Sequence, residues 1–328
     1  MAYLVVVVIL ALTFSAMTRC ESRLITNSLS GFLSLRRKGG DAFSVATHAS
    51  AGLRNVASTL EMTPVQQDLS VSALAIGGTL VWLQIWITLA KNGKIDSKLS
   101  RKIIHSGSAP IFMCLWPLYS NTPGAKYFAS GVVFLQMMRL VLAGLKKDNG
   151  NDMQSASKFR VVAQDIQADA TMNEGKEGGI VDAISRGGSR TEALKGPLIY
   201  TIVLLIGTFI WFRGSPIGVV GITQMAAGDG FADIVGRRYG KKKWAFAPDK
   251  SIAGTAGFVC AATVVTTALL MLFSATGNIS PALEFSEVLQ KVLLISVFCG
   301  LVELIPVWDD NVSVPLAGAL AAKYLLDI

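Results

Sequence analysis

Asp229 and Asp233 stand four residues apart in the run Gly228-Asp229-Gly230-Phe231-Ala232-Asp233-Ile234-Val235-Gly236-Arg237-Arg238-Tyr239-Gly240, and Asp249-Lys250-Ser251-Ile252-Ala253-Gly254-Thr255 follows closely. On a helix, residues at that spacing share a face, with Cβ atoms about 5–6 Å apart. Two carboxylates so placed repel each other unless a cation lies between them, and Mg²⁺ bridging to a polyphosphate satisfies both. The plainer reading pairs them with Arg237 and Arg238 at a helix end. Arg237 is a candidate phosphate contact, whereas Lys241, Lys242 and Lys243 read as electrostatic background. Lys250 supplies a charge where an apolar run begins, and backbone N–H groups at a helix start bind phosphate. Ser251, Gly254 and Thr255 are candidates for that contact, with Gly236 and Gly254 allowing close approach. The plainer reading makes Ser251 an ordinary helix cap. The GxxxxGK[ST] spacing of a P-loop is absent, as are the glycine loop and HRD element of protein kinases.

Other polar groups interrupt the apolar runs. Arg101, Lys102 and His105 place an arginine and a histidine on one helix face, and His105 is the only histidine outside the first 62 residues. It could contact phosphate or take a proton; the plainer reading is an interfacial basic cluster whose side chains snorkel. Glu303 lies within an apolar run, six residues before Asp309-Asp310-Asn311. A carboxylate there requires a partner, and Arg139 is one candidate. Pro306 breaks the helix and lets these acids converge.

These groups are carried by a chain of 328 residues that is 52% hydrophobic and 16% charged, with a mean hydropathy of +0.50. About 25% charge is usual in soluble domains. Several apolar runs reach the roughly 20 residues that cross a bilayer. The expected architecture is an all-α polytopic membrane protein, with about seven to eight transmembrane helices after an amino-terminal targeting leader. Spans are expected near 69–90, 104–119, 125–145, 197–212, 215–231, 252–273, 288–306 and 312–326, with a polar segment over 146–195 that holds one amphipathic piece near 156–170. The four cysteines are scattered with no CxxC or Cys/His spacing, which argues against a zinc site or a disulfide framework.

Sidedness supports this layout. Nineteen basic residues fall in the loops of one face, against Lys126, Arg213, Lys291 and Lys323 on the other, as the positive-inside bias requires. The net charge of +8 is therefore a matter of topology and of attraction for headgroups or a nucleotide, not of nucleic-acid binding. On the same count Asp229, Asp233, Lys250, the Arg101-Lys102-His105 group and Asp309-Asp310-Asn311 all lie at the positive face, where they could form one site.

The amino terminus reads as two signals. Leu4 to Ala11 is an unbroken apolar run, and residues 17–60 carry six arginines and lysines against Glu21 and Asp41, with many hydroxyl residues. A signal peptide followed by a transit peptide predicts a plastid membrane, with residues 1–62 outside the membrane domain of 63–328. The competing reading, a simple secretory signal and linker, predicts the endoplasmic reticulum membrane.

GDGFADIVGRRYG, DKSIAGT and LVELIPVWDDNVSVPLA, with RKIIHSGSAP at 101–110 and EALKGPLIY at 192–200, resemble the phytol and farnesol kinases, part of a wider CTP-dependent polyprenol kinase group that includes dolichol kinase. The likeness spans about residues 70–328; Lys195 departs from it, standing where a small residue is expected. A weaker likeness reaches the cytidylyltransferases that make CDP-diacylglycerol. The resemblance implies phosphorylation of a prenyl alcohol in the membrane, with CTP as donor, UTP as the alternative, and Mg²⁺ as metal. With the plastid leader it implies phytol, and farnesol, geranylgeraniol or dolichol as alternatives. It places Asp229, Asp233, Gly236, Lys250, Gly254 and Asp310 on motif positions. The expected roles are Asp229 and Asp233 on the metal, Lys250 and Arg237 on the phosphates with Arg101 and Lys102 nearby, and Asp310 or His105 on the alcohol. A transporter is disfavoured, because no repeat is visible and the acids collect at one face.

Overall fold

The computed structural model describes residues 62–145, 190–305 and 309–326. The leader expected over 1–62, save its last residue, lies outside the described residues, as do positions 146–189 of the polar segment, including its amphipathic piece, and Pro306. The described residues form nine α-helices: α1 Pro64–Lys91, α2 Ser97–Met113, α3 Ala125–Leu145, α4 Arg190–Ile210, α5 Pro216–Thr223, α6 Gly230–Tyr239, α7 Ile252–Ala275, α8 Phe285–Val302 and α9 Asp310–Leu325. Among them there is no strand, only an isolated bridge between Lys243 and Ser251. Four helices are long and apolar enough to cross a membrane, Pro64–Ala90, Ala125–Leu142, Ile252–Ala275 and Phe285–Val302, and Gly196–Ile210 is a shorter apolar helix. The protein is an all-α membrane protein.

Each of the eight expected spans overlaps a helix, but the bounds differ for physical reasons. Helix α2 starts at Ser97, well before the apolar stretch, because Asp96 caps it through the Leu99 N–H and lysine and arginine are good helix formers. Arg101, Lys102 and His105 therefore lie within a helix. In the same way α4 takes in 190–195, the end of the expected polar segment. The expected fifth span is longer: α5, a π-helical turn at Gln224–Asp229 and α6 run on without a break in helical backbone. Helix α8 stops at Val302, short of the expected 306, as a chain approaching a proline tends to do.

Helix starts follow sequence signals. Thr63 and Gln66 form a capping box ahead of Pro64, Ser215 caps α5 ahead of Pro216, Ser251 caps α7 through the Gly254 N–H at 3.0 Å, and Asp309 caps α9 through the Asn311 N–H at 3.0 Å. Each such cap contributes about 1 kcal/mol. Packing brings α1 against α2, α3 against α4, α5 against α9, and α7 against both α6 and α8; the π-helical turn is enclosed by α2, α7, α8 and α9.

One end of the bundle is closed by aromatic packing and a buried polar knot. Trp116 lies on Phe212 and Phe273, with ring centroids 5.2 and 5.9 Å apart. Arg213, from the α4–α5 turn, donates to the carbonyls of Trp116 and Tyr119 at 2.8 Å each and to that of Ser120. Asp68 of α1, only 1% exposed, accepts from the Ser120 N–H at 2.6 Å and its hydroxyl at 2.8 Å. Buried charges are tolerable only when so partnered. Asp68→Ala would strand the Ser120 N–H. It is expected to destabilise the fold by about 1–3 kcal/mol, read as a lower thermal midpoint of the detergent-solubilised protein.

Candidate functional site

The other end of the bundle gathers charge. Asp229 closes the π-helical turn, Lys250 ends the α6–α7 loop, Glu303 directly follows α8, and Asp310 opens α9. Lys250 Nζ donates to Glu303 Oε1 at 2.7 Å and to Asp310 Oδ2 at 2.8 Å. Glu303 is 4% exposed against 31% for the lysine. Burial works against the Lys250 charge, but Glu303 and Asp310 outweigh it and hold the ammonium above the ordinary lysine range. Lys102 of α2 supplies a second cation, with Nζ 3.2 Å from Asp229 Oδ2 and 3.9 Å from Asp233 Oδ2.

The α6–α7 loop aims Lys250 by backbone bonds. Trp244 N–H donates to the Lys250 carbonyl at 3.2 Å, Lys250 N–H to the Ala247 carbonyl at 3.0 Å and Ile252 N–H to the Lys242 carbonyl at 3.1 Å. Trp244 Nε1 also donates to Thr255 Oγ1 at 3.0 Å. Thr255 is thereby engaged in holding the loop, and Ser251 Oγ in capping α7.

Glycines set how closely the elements meet. A methyl on Gly228 would come within 2.6 Å of the Phe258 ring in α7, and one on Gly230 would overlap the Ser106 side chain in α2. Asp229 is thus flanked by two positions where neighbouring helices leave no room for a side chain. Gly236 and Gly254 mark the contact of α6 with α7: a methyl on Gly254 would lie 2.9 Å from the Ala232 carbonyl oxygen and 3.4 Å from Gly236 Cα. Close helix packing accounts for both residues.

The sequence-expected groups are largely brought together. Asp229, Lys250, Asp310 and Lys102 meet directly. The His105 and Tyr200 rings pack tilted at 42° with centroids 4.1 Å apart, and the His105 backbone carbonyl accepts from the Tyr200 hydroxyl at 2.9 Å. Asp233 sits one turn outward: its Oδ1 accepts from Arg237 Nε at 2.8 Å, so the helix-end pairing is present. Arg101 is close enough to Arg237 for the two charges to repel. The partner of Glu303 is Lys250, while Arg139 donates to Gln136 Oε1 at 3.3 Å.

Asp229, Glu303 and Asp310 each offer a carboxylate oxygen, and the three lie within 4.8 Å of one another. An all-oxygen donor set with two carboxylates on rigid helix ends fits a hard divalent cation such as Mg²⁺. From the sequence Glu303 is expected to converge with Asp309-Asp310-Asn311 and to need a partner, but it is not among the expected metal ligands. Tyr200 and Gln224 carried no local signal beyond a polar residue in an apolar run.

Comparison with known proteins decides the family. The chain is 31% identical over 280 residues to an Arabidopsis thaliana protein named phytol kinase 1, chloroplastic, covering 84% of this chain and 83% of that protein. It is 32% identical over 246 residues to the Arabidopsis thaliana farnesol kinase, chloroplastic, covering 74% and 70%. It belongs to the phytol and farnesol kinase family. A Zea mays protein named probable phytol kinase, chloroplastic, is 36% identical over 264 residues, 80% of this chain and 78% of that protein. No family model matches the chain, and no solved structure does.

Gly230→Ala is expected to push α2 off the π-helical turn and to destabilise the protein by about 1–3 kcal/mol, the usual range for overpacking. Adding Ser106→Gly should restore most of the lost thermal midpoint. Simple additivity of the two changes would contradict the contact.

Proposed function

We propose that the protein is a prenyl alcohol kinase of a plastid membrane, transferring the γ-phosphoryl group of CTP, with UTP as the alternative donor, to phytol to give phytyl phosphate. The observation that carries this reading is the Lys250 ammonium held between Glu303 and Asp310, beside Asp229. It gives a fixed positive charge among oxygen donors at the end of an apolar bundle. The names of the relatives support the acceptor class and the compartment.

In the reaction the alcohol oxygen forms a bond to the γ-phosphorus, the bond from that phosphorus to the β–γ bridging oxygen breaks, and CDP departs. The hydroxyl proton is lost to a protein base or to water. Such transfers are catalysed mainly by positioning and charge neutralisation. Asp229, Glu303 and Asp310 would hold Mg²⁺. The alternative set, Asp229 with Asp233, would use Asp233 Oδ2, which has no hydrogen-bond partner among the described residues, while Oδ1 stays on Arg237 Nε at 2.8 Å; in the first set Glu303 and Asp310 share their oxygens with Lys250. Mg²⁺ when bound neutralises phosphate charge and polarises the transferred group. Lys250 and Lys102 add positive charge from fixed positions, with Arg237 and Arg101 at the rim. Asp310, or His105 on its Tyr200 platform, orients the hydroxyl and takes its proton. The prenyl tail lies among the helices; because it comes from lipid, its burial adds little net affinity, and tail contacts set specificity.

The test is label transfer in membranes holding the protein, Mg²⁺, phytol and γ-labelled CTP. Label is expected in a lipid monophosphate, with phytol preferred over farnesol, geranylgeraniol and dolichol. Release of pyrophosphate with a CDP-lipid from phosphatidate would replace this reading with a cytidylyltransferase. Asp229→Asn should lower transfer by at least about 100-fold, the scale of losing one preorganised charge at a reacting centre. In Mg²⁺ titrations, Glu303→Gln should raise the requirement more than Asp233→Asn; the reverse order would favour the Asp229–Asp233 set.

A further inference from the structure

Beneath the charged cluster the bundle holds a fully buried polar seam that the proposed chemistry does not use. Gln224 is 0% exposed and is the first residue of the π-helical turn that ends on Asp229. Its Nε2 donates to Thr266 Oγ1 of α7 at 3.3 Å and to Ser296 Oγ of α8 at 3.0 Å. Thr266 Oγ1 also lies 2.7 Å from Thr223 Oγ1. On the α9 side, a methyl at Gly318 would come within 3.2 Å of Gln224 Cγ, so α9 approaches this side chain through a glycine. One amide therefore touches the three helices whose ends carry Lys250, Glu303 and Asp310. Its Oε1 has no hydrogen-bond partner among the described residues.

A leucine would fill about the same volume but take from buried Ser296 Oγ its bond to this amide, and the amide keeps an unpaired buried Oε1, so close packing alone does not account for a glutamine here. The turn it begins is also unusual. A π-helical turn carries an extra residue relative to an α-helix, is rare, and is frequent at functional sites. The extra residue rotates everything that follows, so the direction of the Asp229 carboxylate depends on where the turn begins. Bonds from its first residue to α7 and α8 fix that point relative to the two neighbours that bear Lys250 and Glu303.

We propose that Gln224 is a positioning residue: by tying the start of the π-helical turn to Thr266 and Ser296, it holds Asp229 in register with Glu303 and Asp310 for a shared divalent cation. This deepens the kinase reading and rests on it. Residues that orient the ligands of a metal change its affinity by about 10–100-fold when removed.

The test uses the full chain in detergent with Gln224→Leu, Ser296→Ala and, as control, Thr263→Val, which removes a buried hydroxyl on α7 that has no partner among the described residues. Two quantities are read: the Mg²⁺ concentration that gives half of the Mg²⁺-dependent rise in thermal midpoint at fixed CTP, and the concentration that gives half-maximal phosphoryl transfer to phytol. Gln224→Leu is expected to raise both by about ten-fold and Ser296→Ala by less, with Thr263→Val unchanged and KM for phytol unaffected. If Gln224→Leu does not yield folded protein, Ser296→Ala carries the test alone. Mg²⁺ responses equal to wild type in the folded variants, whatever their midpoints, would reduce the seam to packing and overturn the inference while leaving the kinase reading intact. A wild-type chain with neither Mg²⁺ response nor transfer would overturn both.

Discussion

Three carboxylates whose oxygens lie within 4.8 Å of one another cannot share a partly desolvated end of a helical bundle without positive charge among them. The pairing of Lys250 with Glu303 and Asp310 meets that requirement, and other local features follow from it. Glu303 is nearly inaccessible, so its charge depends on a partner from within the protein; removing one member of such a pair is far more damaging than replacing the pair. The lysine comes from a loop pinned by backbone bonds at Trp244, Ala247 and Lys242. The two acids come from helix ends separated by a short break. Helix α7 has to begin just after Lys250, and α9 has to begin at Asp310, for the three to meet. The caps at Ser251 and Asp309 supply those starting points.

Asp229 reaches the same place by a different route. It lies on an uninterrupted helical rod, 216–239, whose π-helical turn changes the register midway. Gly228 and Gly230 let Phe258 and Ser106 press against the turn from opposite sides. With little hydrophobic drive between helices inside a bilayer, such small-residue contacts are a principal means of bringing backbones together. At the far end, large aromatic rings and the Arg213–Asp68 knot play the corresponding part. The charged site is held by close backbone approach at one end and by bulk and buried hydrogen bonds at the other.

How much of this could be read from the chain depended on the type of signal. Charged residues in an apolar sequence stand out, so Asp229, Lys250, Asp310 and Lys102 were identifiable, and the bias of basic residues placed them on one face. The pairing of Lys250 with Glu303, 53 residues apart, is set by how α7 packs on α8, which no local spacing encodes. The glycines carry an ambiguous signal for a related reason. Gly236 and Gly254 are read in the sequence as permitting close approach of a phosphate, and a helix–helix contact demands the same absence of a side chain; only the position of the neighbouring helix shows that contact. Helix bounds erred where hydropathy ended before the helix did, as at Arg101 and Lys102. The π-helical turn left no trace, because one added residue in a short, mostly apolar and small-residue run does not disturb a visible period.

The arrangement also bears on how a membrane-embedded kinase can neutralise a phosphate without a glycine-rich nucleotide loop. A flexible lysine on a surface loses entropy and sheds water each time it engages its ligand. Lys250 has already given up that freedom: its backbone is bonded on both sides and its ammonium is shared by two carboxylates. Preorganised charge of this kind costs no reorganisation when charge develops in the reaction. The same acids that hold the lysine temper its field, so the site is close to balanced before the donor arrives. Bringing further positive charge to Asp229, Glu303 and Asp310 shifts that balance and leaves more of the Lys250 charge for phosphate oxygens. On this electrostatic argument, acids and lysine act as one unit, and under the proposed kinase reading the charge Lys250 can offer a phosphate is set by how the carboxylates are occupied.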